Sequence, residues 1–189
     1  MIEDNVKKYN IRTVHSNQVK VYALMLFDAL NGKLFDFGEK EKSYLGAAAL
    51  LHDIGYHIDR KSHHKHSLEM ILGMDFEEFD AREREIIAHL ARYHRSAFPD
   101  ETKHMRFSAL NNEQKNVILK LSGLLRLADG LDKPAKNLIT GIDAEIDDFS
   151  INLSLRTVGF LPKLAMAEQK KDLMEFVYKK AVNLSCKKL

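Results

Sequence analysis

The chain has 189 residues, of which 45% are hydrophobic and 30% charged, with a formal net charge of +2 and a pI of about 8.5. This balance is typical of a globular protein that buries a core without cross-links, and it is too weakly basic to predict a nucleic-acid or membrane partner. The single cysteine excludes an internal disulfide framework. We find neither a signal-like apolar region nor an apolar run of roughly 20 residues, so we expect a cytoplasmic protein.

Helical periodicity dominates the first two-thirds of the chain. It predicts helices over residues 14–30, 44–54, 67–72, 80–94 and 112–131. Asn31-Gly32 supplies a stop to the first helix, Gly55 a C-cap to the second, and Asn111 an N-cap to the last.

The pattern changes to alternation with period 2 in the segments LITGIDAEI and FSINLSLRT, which predict a hairpin turning at Asp147-Asp148. Further strands are predicted at residues 161–165 and 182–185, with a helix over 168–180 between them. We therefore predict a mostly α fold. We expect residues 1–135 to form a helical domain and residues 136–189 to form a small α+β subdomain packed on it, with an antiparallel sheet plus a helix.

Residues 49–67 contain five of the nine histidines: His52, His57, His63, His64 and His66. Exposed or hydrogen-bonded core histidines would explain such a stretch without any function. A metal site is the alternative, because imidazole and carboxylate both bind first-row divalent metals and His52 is followed directly by Asp53.

Partners elsewhere in the chain favour the metal site. His15 lies at the start of the first helix, His94 ends the fourth, and Asp129 lies near the end of an apolar helix where an unpaired carboxylate would be costly. Helical bundles build metal sites from side chains on facing helices in this way.

These residues resemble the HD superfamily of metal-dependent phosphohydrolases, in which a histidine, a His-Asp pair and a later aspartate occur in this order. The segments LLHDIGYHI, HHKHS, IAHLARYHR and LLRLADGLD look most like the C-terminal region of the exopolyphosphatase/guanosine pentaphosphatase family. The resemblance extends through the hairpin and the AMAEQKKDLMEFVYKKAVNL tail. That family's polyphosphatase site lies in N-terminal actin-like domains. This chain begins almost at the helices, so we expect a stand-alone domain without that chemistry.

The resemblance implies a ligand set. One metal would be held by His15, His52, Asp53 and Asp129. Asp53 would bridge to a second metal and take part in activating water, and the second metal would also be held by His66 and His94. His63 and His64 would support the site, although one of them could replace His66. The expected ions are Mn²⁺, Fe or Co²⁺, with Zn²⁺, Ni²⁺ or Mg²⁺ as alternatives.

Four basic residues near these ligands are candidates for binding phosphate: Arg95, Lys61, Arg92 and Arg126. Each could equally be a solvated charge or pair with an acidic neighbour. The function expected is hydrolysis of a phosphoester or nucleotide. The alternative is a non-catalytic module that dimerises, regulates or binds polyphosphate or guanosine polyphosphates. A homodimer is suggested by the resemblance, and the acidic segment DAEIDD argues against nucleic acid.

Overall fold

The computed structural model describes residues 12–75, 77–132, 138–159 and 164–188. Its helices are α1 (Thr13–Leu30), α2 (Glu39–Leu51), α3 (His63–Leu72), α4 (Ala81–Tyr93), α5 (Met105–Ser108), α6 (Asn112–Leu131), α7 (Ala165–Lys170) and α8 (Asp172–Tyr178). Its strands are β1 (Ile139–Ile146), β2 (Ser150–Thr157) and β3 (Ala181–Lys188). The predicted fold class, mostly helical with a small α+β appendage, is confirmed.

Helix α6 runs through the centre of the helical body and is nearly all buried from Val117 onwards. Its start is fixed as predicted, because the Asn111 side chain accepts a hydrogen bond from the Gln114 amide at 2.8 Å and the Gln114 side chain reaches back to the Asn111 amide. The helix packs against α1 and α4 on the body side and against α7 and α8 on the appendage side. It therefore connects the two parts of the molecule.

Two predicted helices begin in the wrong place. Helix α2 starts at Glu39 rather than residue 44, and α3 starts at His63 rather than residue 67. Both first turns are polar, in the segments EKEKS and HHKHS, so hydrophobic periodicity does not detect them.

The prediction that Gly55 caps α2 is also wrong. The helix ends at Leu51, and Gly55 lies in a following 3₁₀ turn over Ile54–His57. Its function is to allow close approach, because a Cβ here would lie 2.1 Å from the His63 carbonyl oxygen and 2.6 Å from the Ser67 amide. The Ser67 hydroxyl ties the two elements together, accepting from the Gly55 amide and donating to the His52 carbonyl.

The C-terminal sheet has the order β1-β2-β3. The predicted hairpin is confirmed, with β1 antiparallel to β2. Strand β3 pairs with β2 in parallel, so the sheet is mixed rather than antiparallel. The reason is that α7 and α8 intervene, and a helical crossover returns the chain in the same direction. Of the strand predicted at 161–165, residues 161–163 lie outside the described residues, and Ala165 begins α7.

Helix α7 is held against the end of α6 at Gly130, where an added Cβ would lie 2.9 Å from the Ala167 Cα. This contact brings the last residue of α7, Lys170, over Asp129. No helix in the described ranges has both the length and the apolar character needed to cross a membrane.

His89 is a buried core histidine, and we expect it to make the fold sensitive to acid. Its Nδ1 donates to the Glu85 carbonyl at 2.9 Å, and burial lowers its pKa from 6.5 to about 4. The unfolded chain therefore takes up a proton at this histidine before the native state does, and stability falls as the pH falls from about 6.5 towards 4. Between pH 7 and pH 5, the free energy of unfolding of His89→Gln should therefore fall by about 2 kcal/mol less than that of the wild type.

Urea unfolding of the protein at the two pH values measures this difference. His57→Gln is the matched control, because it makes the same chemical change at an exposed position. An equal loss of stability in His89→Gln and wild type would show that His89 is not a source of the acid sensitivity.

Candidate metal centre

Six buried side chains converge where the ends of α1, α2, α3, α4 and α6 meet. They are His15, His52, Asp53, His63, His94 and Asp129, and we call them the His/Asp cluster. Their ligand atoms form three overlapping groups, each within 4.8 Å: His15–His52–Asp53, His52–His94–Asp129 and Asp53–His63–His94. The arrangement can hold cations at two adjoining positions.

His52 presents an unprotonated nitrogen to the cluster. Its Nδ1 lies 2.7 Å from the Ala49 carbonyl, which can only accept, so Nδ1 carries the proton. Its Nε2 is buried, and it has no hydrogen-bond partner among the described residues. Burial lowers the His52 pKa to about 4, so the ring is neutral at pH 7. A neutral imidazole whose lone pair is buried and unpaired is suited to binding a metal.

His63 and His94 are oriented in the same way. Their Nδ1 atoms lie 2.9 Å from the Arg60 carbonyl and 2.6 Å from the Ala91 carbonyl, and their Nε2 atoms face each other at 3.1 Å. Arg95 also approaches the His63 Nδ1, but at 3.5 Å, and the shorter carbonyl contact decides the tautomer. Two lone pairs therefore point at one another, an arrangement that a cation between them would satisfy. Burial holds the His94 pKa well below its usual value.

The Asp53 carboxylate is shared by all the imidazoles. Its Oδ1 lies 3.1 Å from the His63 Nε2, 3.4 Å from that of His52 and 3.7 Å from that of His94, while its Oδ2 lies 3.8 Å from the His15 Nε2. Burial opposes ionisation, but surrounding groups that include the Arg12 guanidinium, 2.6 Å away, hold the Asp53 pKa below its usual range. Asp53 is the residue shared by the His15–His52–Asp53 and Asp53–His63–His94 groups.

Asp129 and His15 form the other side of the cluster. The His15 Nε2 lies 3.1 Å from the Asp129 Oδ1, and its Nδ1 lies 2.5 Å from the buried Asp132 carboxylate. Asp132 thus orients the ring from behind, as carboxylates do for metal-binding histidines. The outer oxygen of Asp129 accepts a hydrogen bond from the Lys170 ammonium.

The structure brings together five of the six predicted ligands. His66 is half-buried and, within the described ranges, belongs to none of the three groups, and His63 lies beside His94 and Asp53 instead. The difference follows from the early start of α3, which places His63 at the helix end facing the cluster and His66 about 4.5 Å further along the axis. His64 is buried but also lies outside the groups.

Sequence reasoning missed three residues at this site. Arg12 donates to the Asp53 Oδ2 at 2.6 Å, and it lies one helical turn before His15. Asp132 lies one turn after Asp129, so both could have been found by helical spacing. Lys170 comes from the appendage, and no pattern in the sequence links it to Asp129.

A cleft of about 320 Å³ opens onto the cluster. Four cationic side chains line it: Arg12, Arg95, Arg126 and Lys170. Of the predicted phosphate-binding residues, Arg95 and Arg126 are therefore at the cleft, and in the described part of the chain Lys61 and Arg92 are not among its lining residues. The Arg126 guanidinium already contacts the Asp172 carboxylate at 2.6 Å and the Ser96 carbonyl at 3.1 Å. An anion fits this lining, which we call the cation-lined cleft.

Comparison with known proteins adds an independent finding. A family model described as Ppx/GppA phosphatase, domain III, matches residues 1–168, a stretch that includes every residue of the His/Asp cluster. A guanosine-5'-triphosphate,3'-diphosphate pyrophosphatase from Pseudoalteromonas atlantica is 28% identical over 148 residues. These residues are 78% of this chain but 29% of that protein, so the chain corresponds to less than a third of the relative's length.

Proposed function

The chain belongs to the Ppx/GppA phosphatase domain III family, and from this we propose that its His/Asp cluster is a divalent-metal site of the HD superfamily type. The function proposed is metal-dependent hydrolysis of a phosphoester or nucleotide. The observation that supports this function most directly is a set of three buried imidazoles whose Nδ1 atoms are all bonded to backbone carbonyls. They belong to His52, His63 and His94. Such a set leaves three unprotonated Nε2 atoms around one carboxylate.

The residues present fit one or two divalent ions. His15, His52, Asp53 and Asp129 would hold the first, and Asp53, His63 and His94 would hold the second. The mixture of imidazole and carboxylate ligands suits Mn²⁺, Fe or Co²⁺, with Zn²⁺, Ni²⁺ and Mg²⁺ as alternatives. When bound, the ions would supply Lewis-acid activation of water and of a phosphoryl oxygen.

The residues of this chain would supply orientation and charge. Asp53 is ionised at neutral pH and can hold an attacking water by accepting its hydrogen bond. Arg95 and Lys170 line the cleft beside the cluster and can pair with the non-reacting oxygens of a phosphoryl group. Placing these donors around an anion in a half-enclosed cleft stabilises the charge that develops during phosphoryl transfer.

The experiment combines metal analysis with a substrate panel. Protein loaded separately with Mn²⁺, Fe²⁺, Co²⁺ and Zn²⁺ is dialysed, its metal content is measured, and phosphate release is followed from monoesters, diesters, nucleotides and inorganic polyphosphate. We expect one or two ions per chain and turnover of at least one organic phosphate, which stops on chelation. Stoichiometric metal without turnover of any substrate would contradict the enzymatic proposal.

One observation favours a second candidate, a non-catalytic module that binds phosphorylated ligands. Both carboxylates that face the cleft already have cationic partners, Arg12 on Asp53 and Lys170 on Asp129. Because these ion pairs neutralise the two carboxylates, the carboxylates do not repel an anion. Arg95, which also lines the cleft, can then bind the anion without a metal. The outer edge of β3 has no strand partner in the described part of the sheet, and it offers a surface for a homodimer. Tight nucleotide binding by metal-free protein, without turnover, would favour this candidate.

Lys170 bears on both candidates, because its ammonium competes with a metal ion for the negative charge of the Asp129 carboxylate. Lys170→Met should therefore bind Mn²⁺ about tenfold more tightly than the wild type, since one competing cation is gone. Titration calorimetry measures this affinity. Lys171→Met is the matched control, because the Lys171 side chain bonds to the Val182 carbonyl away from the cluster. Unchanged or weaker Mn²⁺ binding in Lys170→Met would show that Lys170 does not compete with the metal.

A further inference from the structure

A second cleft, of about 660 Å³, adjoins the cation-lined one. Its floor is formed by the segment after His94, residues 96–100, and by the side of α8 that carries Phe176. The apolar side chains that line it are Ala97, Phe98, Pro99 and Phe176. We call it the aromatic pocket.

Two phenylalanines give the pocket its character. The rings of Phe98 and Phe176 are in contact, with centroids 5.0 Å apart and planes tilted by 41°. Phe176 nevertheless remains 46% exposed. The pair is too close for a ring to enter between them, so the surface they offer to a ligand is the part that faces the pocket. A flat apolar group can stack there.

The two clefts share a lining residue. Ser96 lines both of them, and its φ of 65° turns the chain sharply between them. Arg126 lines the first cleft and contacts two residues of the second, because its guanidinium lies 5.2 Å from the Phe98 ring centroid while its Nη1 bonds to the Ser96 carbonyl. One ligand can therefore reach the cations of the first cleft and the aromatic rings of the second.

We infer that the aromatic pocket is the subsite for the base of a nucleoside phosphate whose phosphates lie in the cation-lined cleft. Such a ligand would meet cationic side chains and the His/Asp cluster at its phosphate end and an exposed aromatic surface at its base. Inorganic polyphosphate would fill the first cleft only. The inference rests on the proposed function for the cation-lined cleft, and it names the class of ligand for that cleft.

The test compares two ligands that share the phosphate chain. Titration calorimetry measures the affinity of the metal-loaded protein for adenosine 5'-(β,γ-imido)triphosphate, its guanosine counterpart and inorganic triphosphate. We expect both nucleotides to bind at least about tenfold more tightly than inorganic triphosphate, the contribution typical of one stacked base. Phe176→Ala should lose most of this advantage. Phe149→Ala is the matched control, because Phe149 is 84% exposed at the β1–β2 turn and is not among the described residues that line the pocket.

The outcomes separate this inference from the function on which it rests. Equal affinity for nucleotides and inorganic triphosphate would overturn the base subsite and leave the phosphate cleft standing. Binding of none of the three ligands would overturn the proposed function as well. A preference for nucleotides that survives in Phe176→Ala would also overturn the assignment of the base to this pocket.

A fluorescent variant gives an independent readout, because the chain contains no tryptophan. Phe176→Trp places a single indole at the pocket. The two nucleotides should quench its emission by stacking, and inorganic triphosphate should not. Equal quenching by all three ligands, or by none while calorimetry shows binding, would contradict a base at this position.

Discussion

Asp53→Asn is expected to lower the affinity for divalent ions by at least about 100-fold. Loss of a residue that merely orients a ligand costs 10–100-fold in metal affinity, and Asp53 is placed to contact the metal directly. It belongs to two of the three ligand groups and to both of the proposed ligand sets. Asparagine keeps the shape of the side chain but removes the charge and one strong ligand.

Metal content after dialysis and calorimetric titration with Mn²⁺ measure this loss. Asp148→Asn is the control, since it makes the same chemical change at an exposed hairpin turn. The substitution also leaves Arg12 without its carboxylate partner, so unfolding is followed in parallel to separate loss of metal from loss of fold. A folded Asp53→Asn protein that binds Mn²⁺ as tightly as the wild type would exclude Asp53 as a ligand.

Gly55→Ala should destabilise the protein by about 3 kcal/mol or more, at the upper end of what overpacking costs. The new methyl group would lie 2.1 Å from the His63 carbonyl oxygen and 2.6 Å from the Ser67 amide nitrogen, and both of these neighbours are backbone atoms. The start of α3 must move to relieve this contact. Because His63 is the first residue of α3, its Nε2 would move away from those of His94 and His52, and metal affinity should fall together with stability.

Gly73→Ala is the matched control at the other end of α3. Gly73 has helical backbone angles, and a Cβ there meets its nearest atom at an ordinary 3.5 Å. This variant should be neutral or more stable by about 0.4–1 kcal/mol, because alanine has less freedom in the unfolded chain. Similar urea midpoints for Gly55→Ala and Gly73→Ala would show that the close approach at Gly55 is not required.

The parts of the fold that sequence predicted are those with strong local signals. The Asn111 cap, the apolar stripe of α6 and the alternating hairpin strands each reflect interactions within one segment, so periodicity and capping are sufficient. The start of α3 was missed because its first turn is made of histidines and a lysine, which look like a loop when only hydrophobicity is considered. The same early start of the helix places His63, rather than His66, beside Asp53 and His94.

At the site, too, the residues that could be predicted are those with a local signal in the sequence. His15, His52, Asp53, His94 and Asp129 could be selected because each is an unusual residue at the end of an apolar helix. Lys170 could not, because its position depends on α7 packing against Gly130, a contact between segments about 40 residues apart. Phe98 and Phe176 likewise form one surface only after the appendage has docked on α6.

The central claim, that the His/Asp cluster holds divalent metal, is tested most directly by a crystal structure of Mn²⁺-loaded protein with anomalous diffraction data. We expect one or two anomalous peaks within coordination distance of Asp53, with His52 Nε2 at the first position and His63 and His94 Nε2 at the second. Fully loaded crystals that show no anomalous peak at the cluster, with Lys170 still bonded to Asp129, would contradict the claim.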